Sequence, residues 1–537
     1  MSFTRFSGMS YFSSAYWSTP YDAAENELLA DEKRVKALIK SSASELSGAY
    51  PTAQQQVGTQ FTEIANATID KPQYRATSNT LAKLEKTLYA LRILKVIDYL
   101  VTRLPETMRG DDNATVILQA LAPGASTRQE VVDVGSEHAL GFAKARINNV
   151  IDALNEVDRR LAIDRPGKVV KHIELTGSDL HNRGRQVVIV TYDNDAKEVY
   201  KPRSVQPDAN LVGRTQTSGF GFLNSLSENV DLPTIGFAAK GEGPRERGYV
   251  EFKRKTRVIA DRAVGAYYEQ LGQVAVASKL FGATDLHQDN VMAVEGGRAA
   301  IIDAETSFLP YVMAAKSYAV TGLPSALKEF ASASGGLASN AFVTESEEER
   351  LGEDELKPET VARLRENDLL GSGTYRDEFI RGIRTLIATV DENETAIVNH
   401  LWELLGQTTR ARYVPLETTE FKGYLRSYHS ALARKRPNVA SDVVDEVVRK
   451  IVEESGKEGF ELNEELGPHL RTALVADLQA GDIPVFFFAA KTNALRYRGK
   501  TIGDSKLLRG GKDFVAQVVR NVAQTDWRQV VKDLLEG

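Results

Sequence analysis

The chain has 537 residues, a formal net charge of -6 and no cysteine. That length exceeds one simple domain and can bury a large core, so two or three domains are expected. The composition is that of a globular protein. It excludes disulfides, thiolate zinc sites and cysteine nucleophiles, and gives no general nucleic-acid signal.

The first stretch, Met1 to Tyr21, is rich in Ser, Tyr and Phe. It lacks the apolar run of a signal peptide, and no stretch of about 18 apolar residues marks a membrane span. A cytoplasmic protein is expected, with an aromatic arm packed on its own domain. Between Ala24 and Asp164, Leu81, Leu84, Leu88, Leu91, Ile93, Leu94, Ile97 and Leu100 recur at helical spacing. Ala139, Phe142, Ala143, Ala145, Ile147, Val150, Ile151 and Leu154 form a second stripe. These predict a helical N-terminal region over residues 1–165.

Residues 166–310 change character. Gln186 to Tyr192 is a β-rich run, Asp193-Asn194-Asp195 signals a turn, and Glu198 to Pro202 returns as a second strand. Lys201 ends that strand, where it could reach phosphates or be an ordinary edge-strand lysine. Upstream, Asp179-x-His181 precedes a glycine-containing turn whose N–H groups could cover an anion. A surface Asp and His on a hairpin is the plainer reading of that pair, although a histidine exchanges protons near neutral pH. Thr234 to Gly248 is glycine-rich and charged, which predicts a mobile connection.

The stretch from Gly282 to Ala293 carries most of the candidate chemistry. It reads as an apolar helix end and a polar loop, followed by strands Val291–Val294 and Ala299–Ile302 around a Glu295-Gly296-Gly297-Arg298 turn. Asp285 and Asn290 have the Asp-x-x-x-x-Asn spacing of a phosphotransferase catalytic loop, and Asp303 follows after the hairpin. In such a site one carboxylate orients the attacking hydroxyl, while an amide oxygen and a second carboxylate hold Mg2+. Taken singly, these residues are also ordinary loop and turn residues.

Residues 311–375 predict a flexible, activation-segment-like region, opened by Ser332-Ala333-Ser334-Gly335-Gly336 and continuing through the acidic Glu345–Arg350 to Pro358. Residues 376–537 predict a helical lobe, with stripes at Phe379, Ile380, Ile383, Leu386 and Ile387 and at Val443, Val444, Val447, Val448 and Ile451. Arg412 and Thr418 are expected between such helices. Lys491, Arg496 and Arg498 form a late basic cluster.

In order, Tyr200-Lys201-Pro202-Arg203-Ser204, Asp285-Leu286-His287-Gln288-Asp289-Asn290 and Ile302-Asp303-Ala304-Glu305-Thr306 resemble the dehydratase domain of LanM-type (class II) lanthipeptide synthetases. Further likenesses are Gly177 to Val187, Gly248-Tyr249-Val250-Glu251-Phe252, Tyr267 to Gly272, Arg412 to Thr418, and Gly481-Asp482-Ile483-Pro484. The resemblance runs from about Gly177 to Phe488, with unmatched stretches between. Asp289 stands where that family usually has Glu, and Leu416 replaces the second arginine usually seen before the Thr.

The resemblance implies an α+β protein with a kinase-like, two-lobed core related to lipid kinases. It implies ATP and Mg2+ as cofactors, with Lys201, Asn290 and Asp303 binding the nucleotide and metal and Glu305 supporting them. Asp285 would orient a Ser or Thr hydroxyl of a ribosomally made precursor peptide, with His287 beside it. Asp179, His181, Arg412 and Thr418 would serve phosphate elimination, giving dehydroamino acids. The family's cyclase holds zinc with two Cys and a His. With no Cys, and ending too early for that domain, the chain is expected to be a stand-alone dehydratase working without zinc, with a separate cyclase as a possible partner. A kinase that stops at the phosphorylated product and a non-catalytic peptide-binding relative are the alternatives.

Overall fold

The computed structural model describes residues 152–536, with 145 and 149, except 177, 179–180, 242–244, 329–341, 352–357, 370–372 and 434–435. Most of the expected N-terminal helical region and the aromatic arm lie outside the described residues, as does Asp179. What is described is a mixed α/β protein with two five-stranded antiparallel sheets. No described helix is long and apolar enough to cross a membrane.

Helix α1 (152–164) leads into β1 (Val170–Leu175), β2 (Val188–Tyr192) and β3 (Lys197–Lys201). After α2 (Gln206–Val212) come β4 (Phe237–Lys240) and β5 (Arg247–Glu251), and the sheet order is β1-β2-β3-β5-β4. Strand residues alternate between faces. Val188, Val190, Tyr192 and Tyr200 pack with Leu154, Val157 and Leu161 of α1. Lys201, next to Tyr200, therefore projects from the opposite face, away from α1. The expected hairpin is present, with Val188 opposite Tyr200 and Asp195 in the turn at φ +62°.

The Thr234–Gly248 expectation is corrected. Phe237–Lys240 forms an edge strand paired with Arg247–Val250, because the glycines flank a short run able to pair rather than interrupting it. Beyond it, β6 (Val258–Ile259) leads into α3 (Asp261–Leu280), whose last three turns are almost wholly buried. Full burial of a large apolar side chain contributes about 1.5–3 kcal/mol. Helix α4 (Arg376–Glu392) carries the expected stripe and crosses α3 closely. A Cβ on Gly382 would overlap the Glu269 carbonyl, so that crossing requires glycine.

The α3 end feeds the candidate loop and then β7 (Val291–Val294) and β8 (Arg298–Ile301), a hairpin within one residue of expectation. Part of the 311–375 region is more ordered than the acidic run predicted. β9 (Val343–Thr344) pairs in parallel with β6, a helix spans Glu345–Leu351, and fully buried Arg365 pairs with Glu347 at 2.6 Å. Within the acidic run Glu347 supplies an internal ion partner, while Glu345, Ser346, Glu349 and Arg350 are exposed.

A second correction concerns the C-terminal part. Besides α5 (Thr418–Ala433), α6 (Pro437–Lys457), α7 (Gly467–Ala480) and α8 (Gly511–Ala523), it holds a sheet of its own. Strands β10 (Ala411–Tyr413), β11 (Phe460–Leu462), β12 (Phe486–Ala489), β13 (Ala494–Tyr497) and β14 (Lys500–Ser505) run in the order β10-β12-β13-β14-β11. Arg412 thus sits on an edge strand, where only three residues form the pattern. The late basic cluster is dispersed: Lys491 and Arg496 are exposed, while Arg498 pairs with Asp477.

Candidate active site

Lys201 is 2% exposed and its ammonium is fully engaged. Nζ donates to Asp208 Oδ1 at 2.9 Å, to the Ile302 carbonyl at 3.0 Å and to Asp303 Oδ1 at 3.2 Å. The strand end and the β8 exit are therefore held together by one lysine. Asp208 lies in the first turn of α2, just after Pro207, and takes three donors: Lys201, Arg203 at 2.8 Å and the Ala304 N–H at 3.2 Å. Burial alone would raise its carboxyl, but the Arg203 and Lys201 charges hold it below its ordinary range.

Arg203 spans the site. Its guanidinium reaches Asp208, Asp303 Oδ1 at 2.7 Å and Glu305 Oε2 at 2.5 Å. Glu305 Oε1 lies 2.5 Å from Arg412, and the Arg412 N–H donates to the Glu305 carbonyl at 2.7 Å. Glu305 is 7% exposed, and burial would push its carboxyl up; the two arginines overcome this and hold it at about 2. Among the described residues the buried Arg412 Nε has no acceptor.

The loop from Ala283 to Asn290 is pinned by backbone bonds. Thr284 exchanges bonds with Thr306, and Leu286 N–H donates to Thr321. Asp285 between them has φ +64°, a left-handed conformation that Asp tolerates better than most residues. Gly322, at φ +78°, abuts it: a Cβ there would lie 3.0 Å from Leu286 N. Asp285 is half exposed, yet its carboxyl is pushed up to about 6. Partial burial is the main cause, with Asp303 and Glu305 adding to it while His287 and Arg412 oppose it.

His287 braces this loop. Its Nδ1 accepts from Asp289 N–H at 3.2 Å, and its Nε2 lies 3.5 Å from Asp285 Oδ1. Asn290 Nδ2 donates to the Asp285 carbonyl at 2.8 Å and lies 3.3 Å from His287 Nε2. Oδ1 of Asn290 takes part in neither contact. The bonds to Asp303 from Lys201, Arg203 and Glu305 N–H all use Oδ1. Among the described residues, one amide oxygen and one carboxylate oxygen thus stand outside these bonds. Among the described residues no group of three or more His, Cys, Asp or Glu is placed to hold a metal. A Mg2+ ion keeps waters and binds through one or two carboxylates plus substrate phosphates, and would draw on oxygens of this kind.

The turn around Gly184 does not present its N–H groups to solvent. Asn182, Arg183 and Gly184 all have positive φ, and the resulting concavity holds Asp482, with Arg183 N–H at 2.5 Å and Gly184 N–H at 3.3 Å. His181 Nδ1 lies 2.9 Å from the Ile483 carbonyl. The expectation that this turn covers phosphate is corrected: its anion is a carboxylate of the chain itself.

Residues 129–489, which contain all of these side chains, match the family model "Domain of unknown function (DUF4135)". The chain belongs to the DUF4135 family. That domain is known in LanM-type lanthipeptide synthetases, so the likeness drawn from the motifs holds. This DUF4135 chain is also 30% identical over 135 residues to the lacticin 481/lactococcin biosynthesis protein LcnDR2 of Lactococcus lactis subsp. lactis. The match covers 24% of the chain and 14% of that relative's length.

Of the residues singled out in the sequence, the DUF4135 fold brings together Lys201, Asp303, Glu305 and Arg412 directly, with Asp285, His287 and Asn290 on the adjoining loop. Thr418 begins α5, six residues beyond Arg412, and is half-buried. His181 is held on the Ile483 side of β12. Sequence reasoning missed Arg203 as a site residue, although it lies inside the Lys201 motif, and missed Asp208, Gly322 and Asp482. A signal existed for Asp208, an acid in the first turn of a proline-started helix shortly after the lysine.

Proposed function

We propose that this chain is a LanM-like dehydratase with a kinase-like, two-lobed core, phosphorylating Ser and Thr of a ribosomally made precursor peptide and then eliminating the phosphate. Membership of DUF4135 and the LcnDR2 likeness support a place in lanthipeptide biosynthesis. The observation that carries the two-step reading is the convergence of Lys201, Arg203 and Arg412 on Asp303 and Glu305, beside the loop that carries Asp285.

In the first step Asp285 accepts the hydroxyl proton, and the oxygen attacks the γ-phosphorus of ATP as the bond to the bridging oxygen breaks. A base whose carboxyl is raised to about 6 is better matched to neutral pH than an ordinary aspartate. Lys201, a strand-end lysine like the one that contacts phosphates in kinases, would reach them by giving up one of its present acceptors. Asn290 Oδ1 and the second oxygen of Asp303 would hold Mg2+, which when bound neutralises phosphate charge.

In the second step the peptide α-proton passes to a base, the Cα–Cβ double bond forms, and the Cβ–O bond breaks with its electron pair leaving on phosphate. Arg412 stabilises that departing charge. Its Nε, which has no acceptor among the described residues, would donate to a phosphate oxygen. His181, Asp179 and Thr418 are the other participants assigned to this step.

The test is intact-mass spectrometry of a Ser/Thr-rich precursor peptide incubated with the protein, ATP and Mg2+. Loss of one water per site is expected. A persistent gain of phosphate would make the protein a kinase that does not eliminate, and an unchanged peptide would refute the peptide substrate.

A further inference from the structure

The turn from His181 to Arg185 and the segment from Gly481 to Pro484 lie about 300 residues apart in sequence and meet face to face. Three consecutive positive-φ residues aim two N–H groups to the same side, one at each oxygen of a single carboxylate, a concavity suited to an anion. Asp482 fills it, with a residue exposure of 0%. A carboxylate taken wholly out of water requires several donors, and charge-assisted bonds from backbone N–H groups are the strong kind. Gly481 just before it closes α7 at φ +70°, which turns the carboxylate toward the turn. The next residue, Ile483, presents its carbonyl to His181 Nδ1 at 2.9 Å.

A carbonyl can only accept. His181 must therefore carry its proton on Nδ1, and in the neutral ring Nε2 is the nitrogen with the lone pair. The same run of chain continues into β12, where Phe487 is the register partner of Arg412. One segment thus holds the histidine at one end and the arginine strand at the other.

We propose that Asp482 is a positioning residue of the candidate active site: seated in the Asn182–Gly184 concavity, it fixes the place and tautomer of His181 relative to Arg412. The chemical consequence rests on the dehydratase reading. With Nε2 as its basic atom, His181 takes the α-proton of the phosphorylated residue as the Cα–Cβ double bond forms and phosphate departs with the Cβ–O electron pair. Asp482 touches no reacting atom in this scheme.

The experiment has two readouts on the full chain. In protein labelled with 15N-histidine, with His181→Asn to assign the signal, wild-type His181 is expected as the Nδ1–H tautomer. Asp482→Asn, which loses the charge and one acceptor, is expected to shift the signal toward a mixture of tautomers. Asp482→Ser serves the same purpose if the amide variant melts too low. An unchanged His181 signal in a folded Asp482 variant overturns the proposal. The second readout is the ratio of phosphorylated to dehydrated peptide, expected to rise at least tenfold in Asp482→Asn. A changed tautomer with an unchanged ratio also overturns it, and so does a fall of both half-reactions by the same factor. If wild-type protein leaves the peptide unmodified, the dehydratase reading fails, while the nitrogen signals still decide whether Asp482 positions His181.

Discussion

Arg412 meets Glu305 twice, through its guanidinium at 2.5 Å and through its backbone N–H, which donates to the Glu305 carbonyl at 2.7 Å. The second bond ties the β10 edge to the chain leaving the β7–β8 hairpin, so strand and site are fixed by one contact. Glu305 in turn keeps Arg203 at 2.5 Å, and the carboxylate is shared.

Replacing Glu305 by Gln leaves two partly buried guanidinium groups short of an anion. Breaking a buried pair from one side costs about 3–5 kcal/mol, so E305Q should lose stability of that order in urea denaturation at pH 7. The wild-type carboxyl is held at about 2 from an ordinary 4.5, so its contribution is present above pH 4.5 and is lost as pH falls toward 2. The gap between wild type and E305Q should therefore begin to narrow below about pH 4.5.

Lys201 and Asp208 form a nearly solvent-free pair at 2.9 Å. Lys201→Met should destabilise by about 3 kcal/mol or more, because Asp208 keeps its charge with one cation fewer. Adding Asp208→Asn should recover part of that loss, since the uncompensated charge goes too, while ATP turnover stays abolished. A double-mutant cycle in urea, read beside ATP consumption, separates the two effects.

Asp285 carries a pH prediction. With its carboxyl at about 6, phosphoryl transfer should fall about tenfold per pH unit below that point. Its stability effect has the opposite sign to that of Glu305. A folded-state value raised above 3.8 contributes stability at low pH that is lost as pH rises through about 6. Asp285→Asn should therefore melt above wild type at pH 8, with the difference gone below about pH 4, although it transfers no phosphate. Thermal melts across that range check it.

Gly322→Ala tests the support of the loop. At φ +78° an L side chain is strained by about 1–2 kcal/mol, and its Cβ presses on Leu286 N and on Asp285. The variant should melt several degrees lower and lose more turnover than its remaining folded fraction accounts for, because the Asp285 backbone shifts.

The β2–β3 and β7–β8 hairpins were legible because each is two short strand-forming runs around Asn, Asp or Gly, a signal contained within about a dozen residues. The α4 and α6 stripes were legible for the same local reason. The second sheet was not: β10 is three residues long and finds its partner more than seventy residues away at β12. Pairing across such a distance leaves no period in the sequence. Within the acidic run the role of Glu347 was not legible, because a charge reads as solvated until its partner, here buried Arg365, is known.

By itself the sequence determined the family and the identities of the chemical groups. The ordered motifs around Lys201, Asp285 and Asp303 name a lysine, an aspartate loop and a second carboxylate in the order that this family uses. Tertiary structure alone decided which charges face one another. Asp208 and Arg203 join the site only because α2 turns back under β3, Glu305 lies between two arginines only because β10 docks on it, and Asp482 reaches the Gly184 turn from about 300 residues away. Burial strengthens these pairings by removing water from between the charges, and burial is a property of the folded chain.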